Sequence, residues 1–363
     1  MKNVQFCSSS SRRSRTLSLT SRPMAGGKRG CFAKVSRLMF SRQHLIILIA
    51  LALLLTIGCA APQIKLFTDA ADPLKEFTLS GMEKGKVLVI PISGIISNHP
   101  SEKLIRSKPS MVQEIVSQLR MAEKDDEIQA VLLKINTPGG TTTASDILYH
   151  ELMAYKKRTG TKVVAAMMDL ATSGGYYVSL PADFILAHPT TVTGSIGVVY
   201  MRPNLTGFMN KLGLEMQVNK SGENKDMGSP FRQTTEEEQK ILQDLTDELG
   251  KRFVHLVDKH RRLDKKTLTN ISTARVYLAG KALEEGLVDQ IGYLNDALSK
   301  AKDLAGLSKN AKVVVYRRTK YPNDNLYNPT TYRYGPDLSL PEVLTSKGAG
   351  FYYIWPSAAG GGM

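Results

Sequence analysis

The sequence predicts an α/β domain built on a mostly parallel sheet with flanking helices, preceded by one apolar membrane segment near the N-terminus. Three observations lead there. Short apolar runs at residues 86–92 (KVLVIPI), 130–136 (AVLLKIN) and 162–168 (KVVAAMM) alternate with stretches of helical spacing. Runs that are apolar at every position, not every second one, belong to strands covered on both faces, as in parallel sheets. Third, residues 43–64 carry no charge at all.

Residues 1–42 form a basic arm. The chain has a formal net charge of +15, yet residues 1–43 contribute ten Lys or Arg and no Asp or Glu, which leaves the rest near +5. A basic arm that runs straight into an apolar segment is the order of a membrane-targeting region, so nucleic acid is not an expected partner. Residues 45–61 (LIILIALALLLTIGCAA) are long enough to enter a bilayer and short for a full span of ~20 residues. The positive flank puts the N-terminal side in the cytoplasm and the remainder outside. Cys59, preceded by Gly58 and followed by Ala-Ala-Pro, resembles a bacterial lipoprotein cleavage site, although Thr56 stands where that pattern usually has Leu. Two anchors therefore stay open: a lipid-modified Cys59 and an uncleaved signal anchor. A start at Met39 gives a signal of ordinary length, which makes the first 38 residues a candidate misassigned start.

Residues 65–85 read as a linker or short helix. Residues 86–300 follow as one domain without internal repeats: a strand at 86–92, a helix at 109–123, a strand at 130–136, a helix at 144–158, a strand at 162–168, a helix at 173–180 and a strand at 184–187. Thr235 and Glu238 make a capping box for a long helix with Ile241, Leu245, Leu249, Phe253 and Leu256 at helical spacing. Residues 301–363 give a last strand at 312–316 and a Pro, Asn, Tyr and Gly-rich tail. Cys7, Cys31 and Cys59 are the only cysteines, so residues 60–363 hold no disulfide and no cysteine-based zinc site. No cofactor or metal is expected.

Chemistry gathers in two loops that follow strands. Asp169-Leu-Ala-Thr-Ser-Gly-Gly-Tyr-Tyr177 sets Ser173 on a glycine turn between a strand and a helix, where unpaired amides favour an oxyanion. Asn136-Thr-Pro-Gly-Gly140 ends the preceding strand, and its glycines let backbone amides approach a substrate closely. One loop can supply a nucleophile and the other an oxyanion amide. His99, His150, His188, His255 and His260 lie in no setting suited to a base, and neither His-Glu-x-x-His nor Gly-x-Ser-x-Gly occurs. That turns attention to lysine. A neutral lysine amine deprotonates serine if its surroundings lower its pKa from ~10.4 to about 7 or 8.

The blocks KINTPGG, ATSGGYYVSLPAD, TTVTGSIGVV, NKSGENKDMGSP and ARVYLAGKALEEGLVDQIG, in that order, resemble the signal peptide peptidase A (SppA) family over residues 85–300. The resemblance implies a ClpP/crotonase-like fold and a Ser/Lys peptidase that breaks leftover signal peptides and similar apolar peptides through an acyl-enzyme. It implies Ser173 as nucleophile, Gly140 and Gly174 as oxyanion amides and Ser195 as the residue that orients the lysine. Lys225 matches the base of the short members, with Lys220 as the alternate. Thr172 replaces an alanine common in the family, which narrows the pocket beside the nucleophile. The resemblance also implies a homo-oligomer whose sites are composed from neighbouring chains, held at the extracytoplasmic side of a bacterial cell membrane. The rival readings are a crotonase-like acyl-CoA enzyme and a non-catalytic membrane scaffold of the same fold. Export disfavours the first, because coenzyme A is cytosolic, and retention of Ser173, both lysines and the glycines disfavours the second.

Overall fold

The strand at residues 87–92 is apolar on both sides because both sides are covered: Val87, Leu88, Ile90 and Ile92 have no exposed surface. The computed structural model describes residues 72–103, 106–328 and 350–359, all within one compact unit. The basic arm, the apolar segment, Met39 and Cys59 lie outside the described residues. In chain order the strands are β1 (Lys75–Ser80), β2 (Glu83–Ser93), β3 (Ser101–Lys103), β4 (Arg106–Lys108), β5 (Ile128–Thr137), β6 (Gly139–Thr141), β7 (Lys162–Thr172), β8 (Phe184–Ala187), β9 (Val192–Gly194), β10 (Val199–Met201), β11 (Val276–Leu278), β12 (Gln290–Ile291), β13 (Ala311–Arg317) and β14 (Gly350–Ile354). The helices are α1 (Met111–Ala122), α2 (Thr142–Thr159), α3 (Gly174–Ser179), α4 (Thr206–Leu212), α5 (Glu236–Arg261), α6 (Lys265–Ile271), α7 (Ala279–Glu284), α8 (Leu294–Leu304) and α9 (Pro356–Ala359).

The main sheet runs β1-β13-β2-β5-β7-β8-β12, and every pairing from β13 to β12 is parallel. Alternate side chains divide between two cores, as the two-residue period of a strand requires. Leu88, Ile90, Val131, Leu133, Val163 and Ala165 pack with Ile115, Leu119, Leu148 and Leu152 of α1 and α2. Val87, Val89, Ala130, Leu132, Val164 and Ala166 pack with Leu294, Ala297, Leu298 and Ala301 of α8. The mostly parallel α/β architecture expected from the sequence is the one found.

Two segments differ from expectation. Residues 75–80, read as linker or short helix, form an edge strand antiparallel to β13. It is held further by Lys86, whose ammonium lies 2.7 Å from Asp125 and 3.1 Å from Glu76. The tail contributes β14, the middle strand of a small sheet ordered β10-β14-β6. The capping box at Thr235 and Glu238 forms as read and starts α5.

The strand β7 changes neighbours along its length. Val164–Met167 pairs with β8, whereas Leu170–Thr172 pairs with β9. The end of β7 thus exchanges β8 for β9 on one side while keeping a rung to β5, Thr137 with Ala171, on the other.

Candidate active site

Ser173 follows the last rung of β7 and is 1% exposed. Its N–H donates to the Gly194 carbonyl at 2.7 Å, and its φ of 53° is one that side-chain-bearing residues rarely adopt. Thr172 pairs with Gly194 in a parallel ladder, so Ser173 and Ser195 are the next residues beyond a common rung. Ser195 has φ 52°, is nearly buried, and donates its N–H to the Arg275 carbonyl at 2.8 Å. Two non-glycine residues held side by side at positive φ store on the order of 1–3 kcal/mol each, which the β7-β9-β11 ladder must offset. Such strain clusters at functional sites. Beside them the Thr172 hydroxyl is buried without a hydrogen-bond partner.

The loop 138–140 meets this turn. Gly139 has φ +105°, and a Cβ there would stand 2.8 Å from the Gly174 nitrogen, so the two glycine loops adjoin as the sequence led us to expect. Thr137 holds the bend: its hydroxyl donates to the Gly94 carbonyl and accepts the Gly139 N–H at 3.0 Å. The Ile96 N–H donates to Gly139 O at 2.9 Å and the Thr141 N–H to Ile96 O at 3.0 Å. With those two groups turned towards Ile96, the amide of Gly140 faces the opposite way, towards β14. At the start of α3 the Tyr177 N–H is the first to find a helical acceptor, Ser173 O, at 2.9 Å.

Neither lysine reaches the serine within one chain. Lys225 sits in an exposed 3-10 turn, Glu223–Asp226, and among the described residues its ammonium has no hydrogen-bond or ion-pair partner. Lys220 donates to Glu223 O at 2.7 Å and Asp226 Oδ1 at 2.8 Å. The Ser173 hydroxyl instead faces Gly197 O at 3.5 Å. Arg232, which the sequence did not single out, ties the lysine-bearing turn to α5 through Asp226 on one side and Glu238 on the other. Hydrogen bonds from Arg232 and Lys220 hold the Asp226 carboxyl far below the usual carboxylate range. The Arg232 hydrogen bond likewise pulls Glu238 down to about 2.

Around Tyr177 of α3 the rings of Tyr149, Phe253 and Tyr353 pack into an aromatic cluster. Tyr177 donates to Asp146 Oδ1 at 2.6 Å, and Arg252 donates to the same oxygen at 2.8 Å. Burial opposes ionisation of Asp146, but those two hydrogen bonds outweigh it and lower its pKa. Burial, reinforced by the Asp146 hydrogen bond, pushes the Tyr177 phenol well up. Nothing in the sequence pattern marks Asp146 and Arg252 as partners, since they meet only when α5 crosses α2. Among the described residues no group of three or more His, Cys, Asp or Glu side chains is gathered as a metal site needs.

A family model described as peptidase family S49 matches residues 155–308, a span that contains Ser173, Ser195, Lys220 and Lys225, and one described as Clp protease matches residues 77–188. A protein of Enterococcus faecium named "Putative signal peptide peptidase SppA" is 34% identical over 253 residues, which is 70% of this chain and 73% of its own. "Protease 4" of Haemophilus influenzae is 31% identical over 259 residues, 71% of this chain and 40% of its own. "Serine protease SPPA, chloroplastic" of Arabidopsis thaliana is 27% identical over 280 residues, 76% of this chain and 39% of its own. This chain thus spans well under half the length of the last two relatives.

Proposed function

The chain belongs to peptidase family S49 as a serine protease like SppA and Protease 4, and from that premise we propose that it is a membrane-tethered Ser/Lys endopeptidase for cleaved signal peptides and similar apolar peptides. Ser173 Oγ attacks the peptide carbonyl, and a neutral lysine amine takes its proton. The oxyanion that forms is held by the Gly140 and Gly174 amides. Collapse of the intermediate breaks the C–N bond, with the lysine returning the proton to the leaving amine. Water then cleaves the acyl-enzyme by the same route. Lys225 is the base and Ser195 orients it; Lys220 is the alternate, disfavoured by its commitment to Asp226. The observation that carries this reading is Ser173 itself, buried at strained φ where the glycine loops adjoin.

Assembly completes the site in this reading. Lys225 lies apart from the serine of its own chain, on a segment whose surroundings expose Phe208 (63%), Leu212 (55%), Leu214 (56%) and Met216 (51%). A row of exposed apolar side chains marks a surface for another chain. A second copy packed there would bring its Lys225 to Ser173 and form a composite site in a homo-oligomer. No cofactor enters the mechanism and no nucleic acid the partner list. Residues 1–64 supply the anchor, either a lipidated Cys59 or a signal anchor, with the described unit outside the cytoplasmic membrane. Among the described residues no helix is long and apolar enough to cross a membrane.

Co-assembly tests the scheme. Ser173→Ala and Lys225→Ala chains should each be inactive alone and regain peptidase activity when mixed through dissociation and reassembly, whereas Lys220→Ala should keep most of its activity. A Lys225→Ala chain that cleaves at the natural rate would dismiss Lys225, and a Ser173→Ala chain that does so would dismiss the nucleophile.

A further inference from the structure

One cation in the fold has no carboxylate to answer it. Lys134 belongs to β5, and its ammonium donates to two main-chain carbonyls of the segment that follows β13, Leu326 O at 2.7 Å and Asn328 O at 3.3 Å. Those two bonds are all that it makes among the described residues, so one of its N–H groups is left over. Burial lowers its pKa, the direction taken by an ammonium that is held by dipoles alone. Leu326 joins Leu79 and Val315 against the core that α8 covers. Residues 325–328 thereby close as a strap over β1, β13, β2 and β5.

Between this strap and the sheet is a cavity of about 40 Å³, walled by Leu79, Val89, Pro91, Val315 and Leu326, with Lys134 and Arg317 as its charged residues. Arg317 is 6% exposed, and its guanidinium lies over the rings of Tyr321 at 4.3 Å and Phe77 at 4.9 Å. Its far edge meets Asp324, to which NH1 donates at 3.0 Å. Its Nε stays buried with no acceptor. The cavity's two asparagines are spent as well, since Asn325 Nδ2 donates to Asn328 Oδ1 at 2.8 Å and Asn328 Nδ2 to Asp324 Oδ1 at 3.0 Å. What the cavity lacks is an acceptor. It has room for two or three water-sized atoms, at the ~10–15 Å³ that each needs. A water would accept from the leftover N–H groups, but it would then turn its own hydrogens to apolar walls and offset no charge. Asp324 balances Arg317, which leaves the Lys134 charge unpaired in a partly buried place, a costly arrangement.

We propose that this cavity is a binding site for a small monovalent anion, chloride in the first place, which accepts from Lys134 Nζ and Arg317 Nε and pins the strap to the sheet. The ion brings no hydrogen that needs a partner, and its single charge closes the local balance: Arg317 with Asp324, Lys134 with the anion. Sulfate is larger and doubly charged, and suits neither the volume nor the balance. On the other side of β13 the strap is already fastened, because Arg318 donates to Glu114 of α1. Occupancy of the cavity therefore governs how firmly residues 325–328 stay down. The site does not depend on the Ser173 reading, and neither cation takes part in the proposed peptidase chemistry.

Hydrogen exchange of the full-length chain reads the strap directly. Peptides from residues 318–328 are followed in sodium chloride and in sodium gluconate at one ionic strength, for the natural chain and for Lys134→Met, which keeps an unbranched stem and removes the charge. In the natural chain chloride should slow exchange of the strap by about tenfold once it reaches ten times its Kd, as binding to the closed strap alone requires. Lys134→Met should show no chloride effect, whereas Lys309→Met, at an exposed position, should respond as the natural chain does. The chlorine NMR line width should rise with a saturable component in the natural chain and lose it in Lys134→Met. Strap exchange that ignores chloride, that responds equally in Lys134→Met, or that responds as strongly to sulfate at the same ionic strength would overturn the proposal. Should Lys134→Met fail to fold, the natural chain decides by itself: a line width without a saturable component overturns the site.

Discussion

Gly140→Ala puts the proposed oxyanion hole under a defined load. A Cβ on Gly140 would lie 1.9 Å from the Ile96 carbonyl oxygen and 2.6 Å from both Ile96 C and N. Non-bonded heavy atoms settle near 3.5 Å, so loop 138–140 and the bridged backbone at Ile96 must separate by about 1.5 Å. The obstacle is backbone on both sides, so no side chain can swing away to absorb it. Overpacking of this kind costs about 1–3 kcal/mol, which a well-formed core survives. The effect on chemistry is larger in proportion. A displacement of about 1 Å costs ~10²-fold in rate, and loss of one oxyanion donor costs ~10²–10³ in kcat. Both routes give about a hundredfold or more. Since the donor acts on the transition state, kcat and kcat/KM should fall together while KM stays. The assay is steady-state cleavage of an apolar reporter peptide, with thermal unfolding to confirm the fold. A folded Gly140→Ala chain within a few-fold of the natural kcat/KM would refute the placement of the amide.

Two further outcomes are expected. Gly250 lies inside α5 with nothing within 4 Å of where its Cβ would stand, so Gly250→Ala should stabilise the chain by about 1 kcal/mol through helix propensity, read as a higher urea midpoint; an unchanged or lower midpoint would show that the site is not open. His260 is bonded to the Tyr149 hydroxyl at 2.8 Å, and burial, with the charges of Lys259, Lys156 and Arg261, depresses its pKa below the ordinary ~6.5. The unfolded chain therefore takes up this proton first as pH falls, so the stability from neutral His260 is complete above pH ~6.5 and is lost on descent through the folded pKa. Urea midpoints should drop between pH 7.5 and pH 5, and His260→Gln should shrink that drop; an equal drop in both would exclude the histidine as its source.

The central strands and the serine turn were legible because their signals are local. An unbroken apolar run such as residues 86–92 announces a strand wherever its partners lie, and a serine before two glycines announces a turn. The edge strand Lys75–Ser80 hid its identity, because its mixed sequence pairs only with β13, some 230 residues later in the chain. β14 was hidden for the same reason: its aromatic residues sit among glycines at the chain's end, while its partners are β6 and β10. Of the candidate residues, Ser173, Ser195, Gly140 and Gly174 depend on one ladder and one loop, and the structure gathers them. Lys225, in the 3-10 turn, and Lys220, just before it, make no hydrogen bond to Ser173 among the described residues. Cys59 falls outside the described residues.

The change of partner midway along β7 separates durability from aim. Its inner half, Val164–Met167, is locked between β5 and β8 in the middle of the protein. Its outer half, Leu170–Thr172, is clasped by β9, and β9 in turn by β11. Variation in the deep layers can therefore accumulate without redirecting Ser173, since the angle at which the hydroxyl leaves the strand is set by the outer clasp together with one rung to β5, Thr137 with Ala171. Conversely, a change at Gly194 or Arg275 could blunt the blade while leaving its handle as firm as before.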